Sequence, residues 1–199
     1  MSSAGALDDI ADVSNVLVLG PSVDESVDIG CKRLLTAGEE EAVLVVSFML
    51  SPKQWVEGWI ERVGDLPEEL VVVTTSDAFT QPGETEENLP DSVTVEYLSS
   101  PGDLTGIGMV VSKYLERWHE ADREMAVCFD SLTTLLQYGE THSIYRFLHL
   151  ITTRISGADA RAHFHLDPDT QDKQTVSTIT STFQAIARHT DSGWEVKRR

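Results

Sequence analysis

Residues 15–35 read NVLVLGPSVDESVDIGCKRLL. An apolar, β-branched run, Val16–Gly20, gives way to a Gly20-Pro21 turn and then to a helical pattern over Asp24–Thr36. Strand, turn and helix in that order are the layout of a phosphate-binding loop. A working loop has Gly-x-x-x-x-Gly-Lys-Ser/Thr: backbone N–H groups cradle the phosphates, the lysine neutralises them, and the hydroxyl holds magnesium. With Gly20 as the first glycine, Glu25 falls at the second, Ser26 at the lysine and Val27 at the hydroxyl. Asp24 and Glu25 bring negative charge to the place a phosphate would occupy. Two like unit charges 4 Å apart repel by roughly 1 kcal/mol in water and about 4 kcal/mol near a protein surface. The SVDE stretch, Ser22–Glu25, instead fits a capping box with Ser22 as N-cap and Glu25 three residues on. The helix N-terminus then takes its acceptors from its own chain, and a phosphate gains little there.

The same alternation continues outward. Ala42–Phe48, Leu70–Thr75, Val93–Leu98 and Glu124–Asp130 read as strands, several apolar on both faces as central parallel strands are. Helical patterns cover Pro52–Val63, Asp103–His119 and Thr141–Ile155, the last with a stripe of Ile144, Phe147, Leu148, Ile151 and Ile155. Ala160–Leu166 reads as a further strand, Pro168–His189 as a long final helix, and Gly193–Arg198 as a last short strand. The polar stretch Ser76–Ser92 reads as a surface loop. Strands alternating with helices predict a layered α/β/α domain over residues 15–199, preceded by a flexible segment over residues 1–14. Gly20 and Asp130 are expected at the carboxyl ends of neighbouring strands, where open α/β sheets place their sites.

Composition narrows the function. The 199 residues, 41% of them hydrophobic, suit one domain with a sizeable core. The longest apolar run, AVLVVSFML, is too short to span a bilayer, and no basic-then-apolar leader opens the chain. Cys31 and Cys128 lie in apolar segments and read as free thiols of a cytoplasmic protein. The net charge of −18 is spread along the chain and argues against direct binding to nucleic acid or anionic lipid. It fits a protein from a high-salt cytoplasm, with solubility as the plainer explanation.

Four segments in order, VLVLGPS, VVSFMLSPKQWVEGW, MAVCFDSLTTLLQYG and HFHLDPDTQDKQTV, resemble the RecA/KaiC-like ATPases, especially divergent haloarchaeal members of that group. The resemblance spans nearly the whole chain. It implies a three-layer α/β/α RecA-like fold with a mainly parallel sheet. It implies that Met49 and Leu50 stand where those ATPases carry the acidic residues that activate water, and that Asp130 and Ser131 end the magnesium-site strand. Neither Met49 nor Leu50 can take a proton. A degenerate remnant site is therefore expected at Gly20, Pro21, Ser22, Ser26, Asp130 and Ser131, with no catalytic residue and no bound metal. No cofactor is expected beyond weak ATP or ADP binding. The expected function is a non-catalytic regulatory or scaffolding protein that meets a protein partner or further copies of itself. The alternatives are a nucleotide binder without efficient hydrolysis and a signal-responsive regulator. Asp130 also reads simply as the residue that caps SLTTLL.

Two more groups bear on chemistry. With period two, His163, His165 and Asp167 share one face of a strand, a spacing a metal site could use. Packing within the sheet is the favoured reading, with Asp167 or Asp169 capping the next helix. Trp55 and Trp59, four apart on a helix, read as packing, with partner contact as the alternative.

Overall fold

The computed structural model describes residues 3–38, 41–75, 89–130 and 132–199. Its strands are β1 (Asn15–Leu19), β2 (Ala42–Ser47), β3 (Glu69–Thr75), β4 (Val93–Leu98), β5 (Met125–Asp130), β6 (Arg161–Leu166), β7 (Ala185–Thr190) and β8 (Gly193–Arg198). Its helices are α1 (Glu25–Leu35), α2 (Pro52–Arg62), α3 (Leu104–Glu120), α4 (Leu132–Tyr138), α5 (Thr141–Gly157) and α6 (Lys173–Thr180). The eight strands form one sheet in the order β4-β3-β2-β5-β6-β1-β7-β8. Every pairing is parallel except β7 with the edge strand β8.

The alternation of side chains across each strand builds the layers. Leu17, Leu44, Val46, Val71, Val127, Phe129 and Phe164 point to one face and meet Ile107, Trp118, Phe147 and Ile151 of α3 and α5. On the other face Val43, Val45, Val72 and Cys128 meet Trp55 and Trp59 of α2, while Val16, Val18 and Ala187 meet Val27 and Leu34 of α1. Both faces are dry, so β1 and β2 are buried at every residue. This is a three-layer α/β/α RecA-like fold, as expected. Among the described residues no helix is long and apolar enough to cross a membrane.

Three expectations change. The N-terminal segment is not simply flexible: Ser3–Ile10 forms a 3-10 helix, and its Leu7 and Ile10 are each only 1% exposed. Their apolar side chains complete the cover over Val16 and Val18. The long final helix is broken into three. A 3-10 turn at Pro168–Thr170 precedes the eight-residue α6, and β7 follows beside β1. Val176, Ile179, Phe183 and Ile186 are spaced like a helix face, but the Ser/Thr run between them ends the helix. Thr180 Oγ1 donates to the Val176 carbonyl at 2.6 Å and Thr182 Oγ1 to the Ile179 carbonyl at 2.7 Å, which closes the last turn with side chains. Ala185 and Ala187 then fill the sheet interior, where small side chains fit beneath the N-terminal helix. Finally, Gly20 and Asp130 do not end neighbouring strands, because β6 lies between β1 and β5. Of the expected surface loop, residues 76–88 lie outside the described residues.

Candidate functional site

The loop after β1 is held by its own chain. Gly20 is buried; its N–H donates to the Leu166 carbonyl at 3.2 Å, and its carbonyl lies 3.2 Å from His165 Nε2. Glycine is required there by close approach, since a Cβ would lie 2.8 Å from Val27 Cγ2. The Ser22 N–H donates to Asp167 Oδ2 at 3.1 Å. The expected capping box is replaced. Asp24, not Ser22, is the N-cap of α1, accepting from the Val27 N–H at 3.0 Å. α1 begins at Glu25, so Ser22 stands two residues before the N-cap, with its backbone N–H on the Asp167 carboxylate. Glu25 stays exposed at the rim of the cleft described below, with Arg62 Nη2 at 4.0 Å. The principle inferred from the sequence holds with different residues: carboxylates of this chain occupy N–H groups of the loop.

Asp130 ends β5 beside the end of β2. Ser47 Oγ donates to its Oδ2 at 3.2 Å, and His165 Nδ1 lies 3.7 Å from its Oδ1. Ser131 lies outside the described residues. The two histidines of β6 are both buried. Burial, aided by the field of His165 and Lys32 and opposed by Asp130, pushes the His163 imidazole down to about 3, so it is neutral. Its Nε2 has no hydrogen-bond partner among the described residues. Asp167 caps the 3-10 turn, accepting from the Asp169 N–H at 3.1 Å. The face His163-His165-Asp167 is thus spent on packing and capping. Among the described residues no group of three or more His, Cys, Asp or Glu is placed to hold a metal ion.

Above these strand ends a cleft of about 800 Å³ opens between α1 and α2. Trp55, Leu35, Cys31 and Cys128 contribute apolar lining. Burial pushes both thiols up, so they stay protonated. Met49 and Leu50 line the cleft and place no proton acceptor there. Six carboxylates line it: Asp24, Glu25, Asp28, Glu57, Glu61 and Asp130. Against them stand two cations. Lys32 is 4% exposed, pairs with Asp28, and lies 5.8 Å above the Trp55 ring. Arg62 Nε meets Asp28 Oδ2 at 2.9 Å.

The expected remnant set is split by the loop. Ser22 and Asp130 line this cleft, whereas Pro21 and Ser26 line a separate polar cleft of about 430 Å³ beside the β7–β8 turn, with Asp24 reaching both. Lys32, Gly58 and Arg62 are lining residues that the sequence reading passed over. Lys32 carried a signal: it interrupts the apolar face formed by Val27, Cys31, Leu34 and Leu35 and follows Asp28 by four residues. Trp55 and Trp59 are buried and stacked with centroids 5.3 Å apart, the packing role expected of them.

The chain belongs to the Family of unknown function (DUF7504), whose model matches residues 13–188. No curated protein matches it in sequence. Among solved structures it is similar to a protein of Pyrococcus horikoshii OT3, at 12% identity and a TM-score of 0.54, covering 94% of this chain and 86% of that one. It is also similar to the ATP synthase subunit NeqB of Nanoarcheaum equitans, at 9% identity and a TM-score of 0.60, covering 96% of this chain and 50% of that one. A third is an ATPase from the type III secretion system of pathogenic bacteria, at 8% identity and a TM-score of 0.50, with 94% and 56% covered. The chain thus spans about half the length of the latter two. At such identities the likeness is one of fold.

Proposed function

We propose that this protein is a non-catalytic RecA-like regulatory or scaffolding domain of the cytoplasm that acts through protein–protein contacts. The observation that carries the reading is the state of the loop. The N–H groups of Gly20, Ser22 and Val27 donate to Leu166, Asp167 and Asp24, so they are taken before any phosphate arrives. Phosphoryl transfer depends on positioned positive charge and on a group that orients the attacking water. Here Ser26 and Val27 replace the lysine and the magnesium hydroxyl, and Met49 and Leu50 replace the water-activating acids. The nearest buried cation, Lys32, is neutralised by Asp28. Assembly with a partner or with further copies agrees with the subunit named in one structural relative, an ATP synthase.

The experiment is phosphate release from ATP by the purified protein in molar potassium chloride with magnesium, beside Asp130→Ala. The expected result is no turnover above the buffer blank for either protein. Turnover by the natural chain that disappears in Asp130→Ala overturns the reading, because it means the loop positions are assigned wrongly.

A further inference from the structure

We infer that the cleft between α1 and α2 is a binding groove for a basic, amphipathic peptide segment of a partner protein; the inference rests on the non-catalytic reading above and names the partner's chemistry. The place where an ATPase would hold a polyanion has the opposite sign here. Six carboxylates face two cations, Lys32 and Arg62, and both pair with Asp28. Arg62 also meets Glu61 at 2.9 Å, and Lys53, outside the lining, stands 3.9 Å from Glu57; these are exposed surface pairs that a peptide cation can exchange at little cost. A cavity of about 800 Å³ lies in the range of ligand sites and is too large to be a packing defect.

Three observations choose a peptide over a small organic cation. The first is Lys32. An ammonium has three donors, and among the described residues only Asp28 accepts from it, although Lys32 is 4% exposed. Its remaining N–H groups are matched by a peptide carbonyl and by nothing on a polyamine. The second is the apolar lining of Trp55, Leu35 and Leu50, with Met49 at 40% and Val23 at 90% exposure beside it. Those surfaces suit apolar side chains on the same segment whose lysines or arginines reach Glu57 and Glu61, one helical turn apart on α2. The third is Gly58. It sits inside a helix, where glycine is destabilising, and no close contact demands it: a Cβ there would meet only Arg62 Nη1 at 3.7 Å and Lys32 Nζ at 3.9 Å. Its missing side chain keeps the cleft open.

The probe is a fluorescein-labelled amphipathic 14-residue peptide of leucine and lysine at helical spacing, with a glutamate-for-lysine copy and spermine as comparisons. Binding is followed by fluorescence anisotropy in potassium chloride at 0.5 M. The basic peptide is expected to bind at least tenfold more tightly than the acidic copy, and spermine is expected not to displace it. The double variant Glu57→Gln, Glu61→Gln should weaken binding about tenfold. Both side chains are well exposed, so the variant stays folded. Gly58→Leu should abolish binding with an unchanged or higher melting temperature. Glu116→Gln with Glu120→Gln, on the opposite layer, should bind as the natural protein does and so controls for general attraction to a chain of charge −18. Equal binding of both peptides, equal binding by Gly58→Leu, or a loss as large in the α3 variant overturns the inference. Displacement by spermine also overturns it, in favour of a small organic cation. Failure of these tests without ATP turnover leaves the non-catalytic reading standing, whereas turnover that disappears in Asp130→Ala defeats that reading.

Discussion

Lowering the pH from 7 to 5 should weaken this fold through one residue, His163, by an amount that can be isolated. The side chain is 2% exposed within the sheet, between Val16 of β1 and Cys128 of β5. Its imidazole is pushed down to about 3 from an ordinary 6.5, chiefly by burial. In the unfolded chain the same group takes up a proton near 6.5. Between the two values the unfolded state holds more protons, so stability rises with pH and falls on acidification. The stability is intact above 6.5 and is lost at roughly 1.4 kcal/mol per pH unit below it, until the folded value near 3 is reached. From pH 7 to 5 the loss is therefore about 2 kcal/mol, a fair share of the 5–15 kcal/mol of a typical domain. Carboxylates add their own pH dependence, so the measurement is a difference. Urea unfolding of the natural protein and of His163→Leu, each at pH 7 and pH 5 in one fixed molar salt, gives four free energies. The variant removes a buried imidazole whose Nε2 has no partner, so it should cost little at pH 7. Its loss between pH 7 and 5 should be smaller than that of the natural protein by about 2 kcal/mol. Equal losses would refute the argument that this histidine is buried uncharged.

Other outcomes follow from single side chains. Asp24→Ala removes the acceptor of the Val27 N–H and should cost about 1 kcal/mol in thermal or urea unfolding. Gly58→Ala, which meets nothing closer than 3.7 Å, should stabilise α2 by about 0.5–1 kcal/mol, and a loss of stability would show that the cleft tolerates no added carbon. The charge of −18 should make the melting temperature climb from dilute buffer to molar potassium chloride, as followed by circular dichroism; a flat response would count against a salt-adapted protein.

The amino-acid sequence by itself determined the layers. Central strands covered on both faces have nowhere to place polar groups, so Val16–Leu19, Ala42–Val46 and Leu70–Val73 are apolar without a break, and that run is readable in one dimension. That Ser26, Val27, Met49 and Leu50 are neither basic nor acidic was equally legible, because each is an identity at a fixed spacing from Gly20 or β2. Only the tertiary structure decided how the N–H groups of the loop are held. That Asp24 and not Ser22 caps α1 depended on where the helix starts, and the Ser22 N–H is held instead by Asp167, distant in sequence. Whether 168–189 was one helix or a helix and a strand depended on a vacant place beside β1, since its apolar spacing served either form. The acidic cleft was invisible because it joins α1 and α2 with the ends of strands far apart in the chain. The charges of Asp28, Lys32 and Arg62 become one network only when two helices stand side by side, and sequence patterns record faces of single elements, not the gap between two.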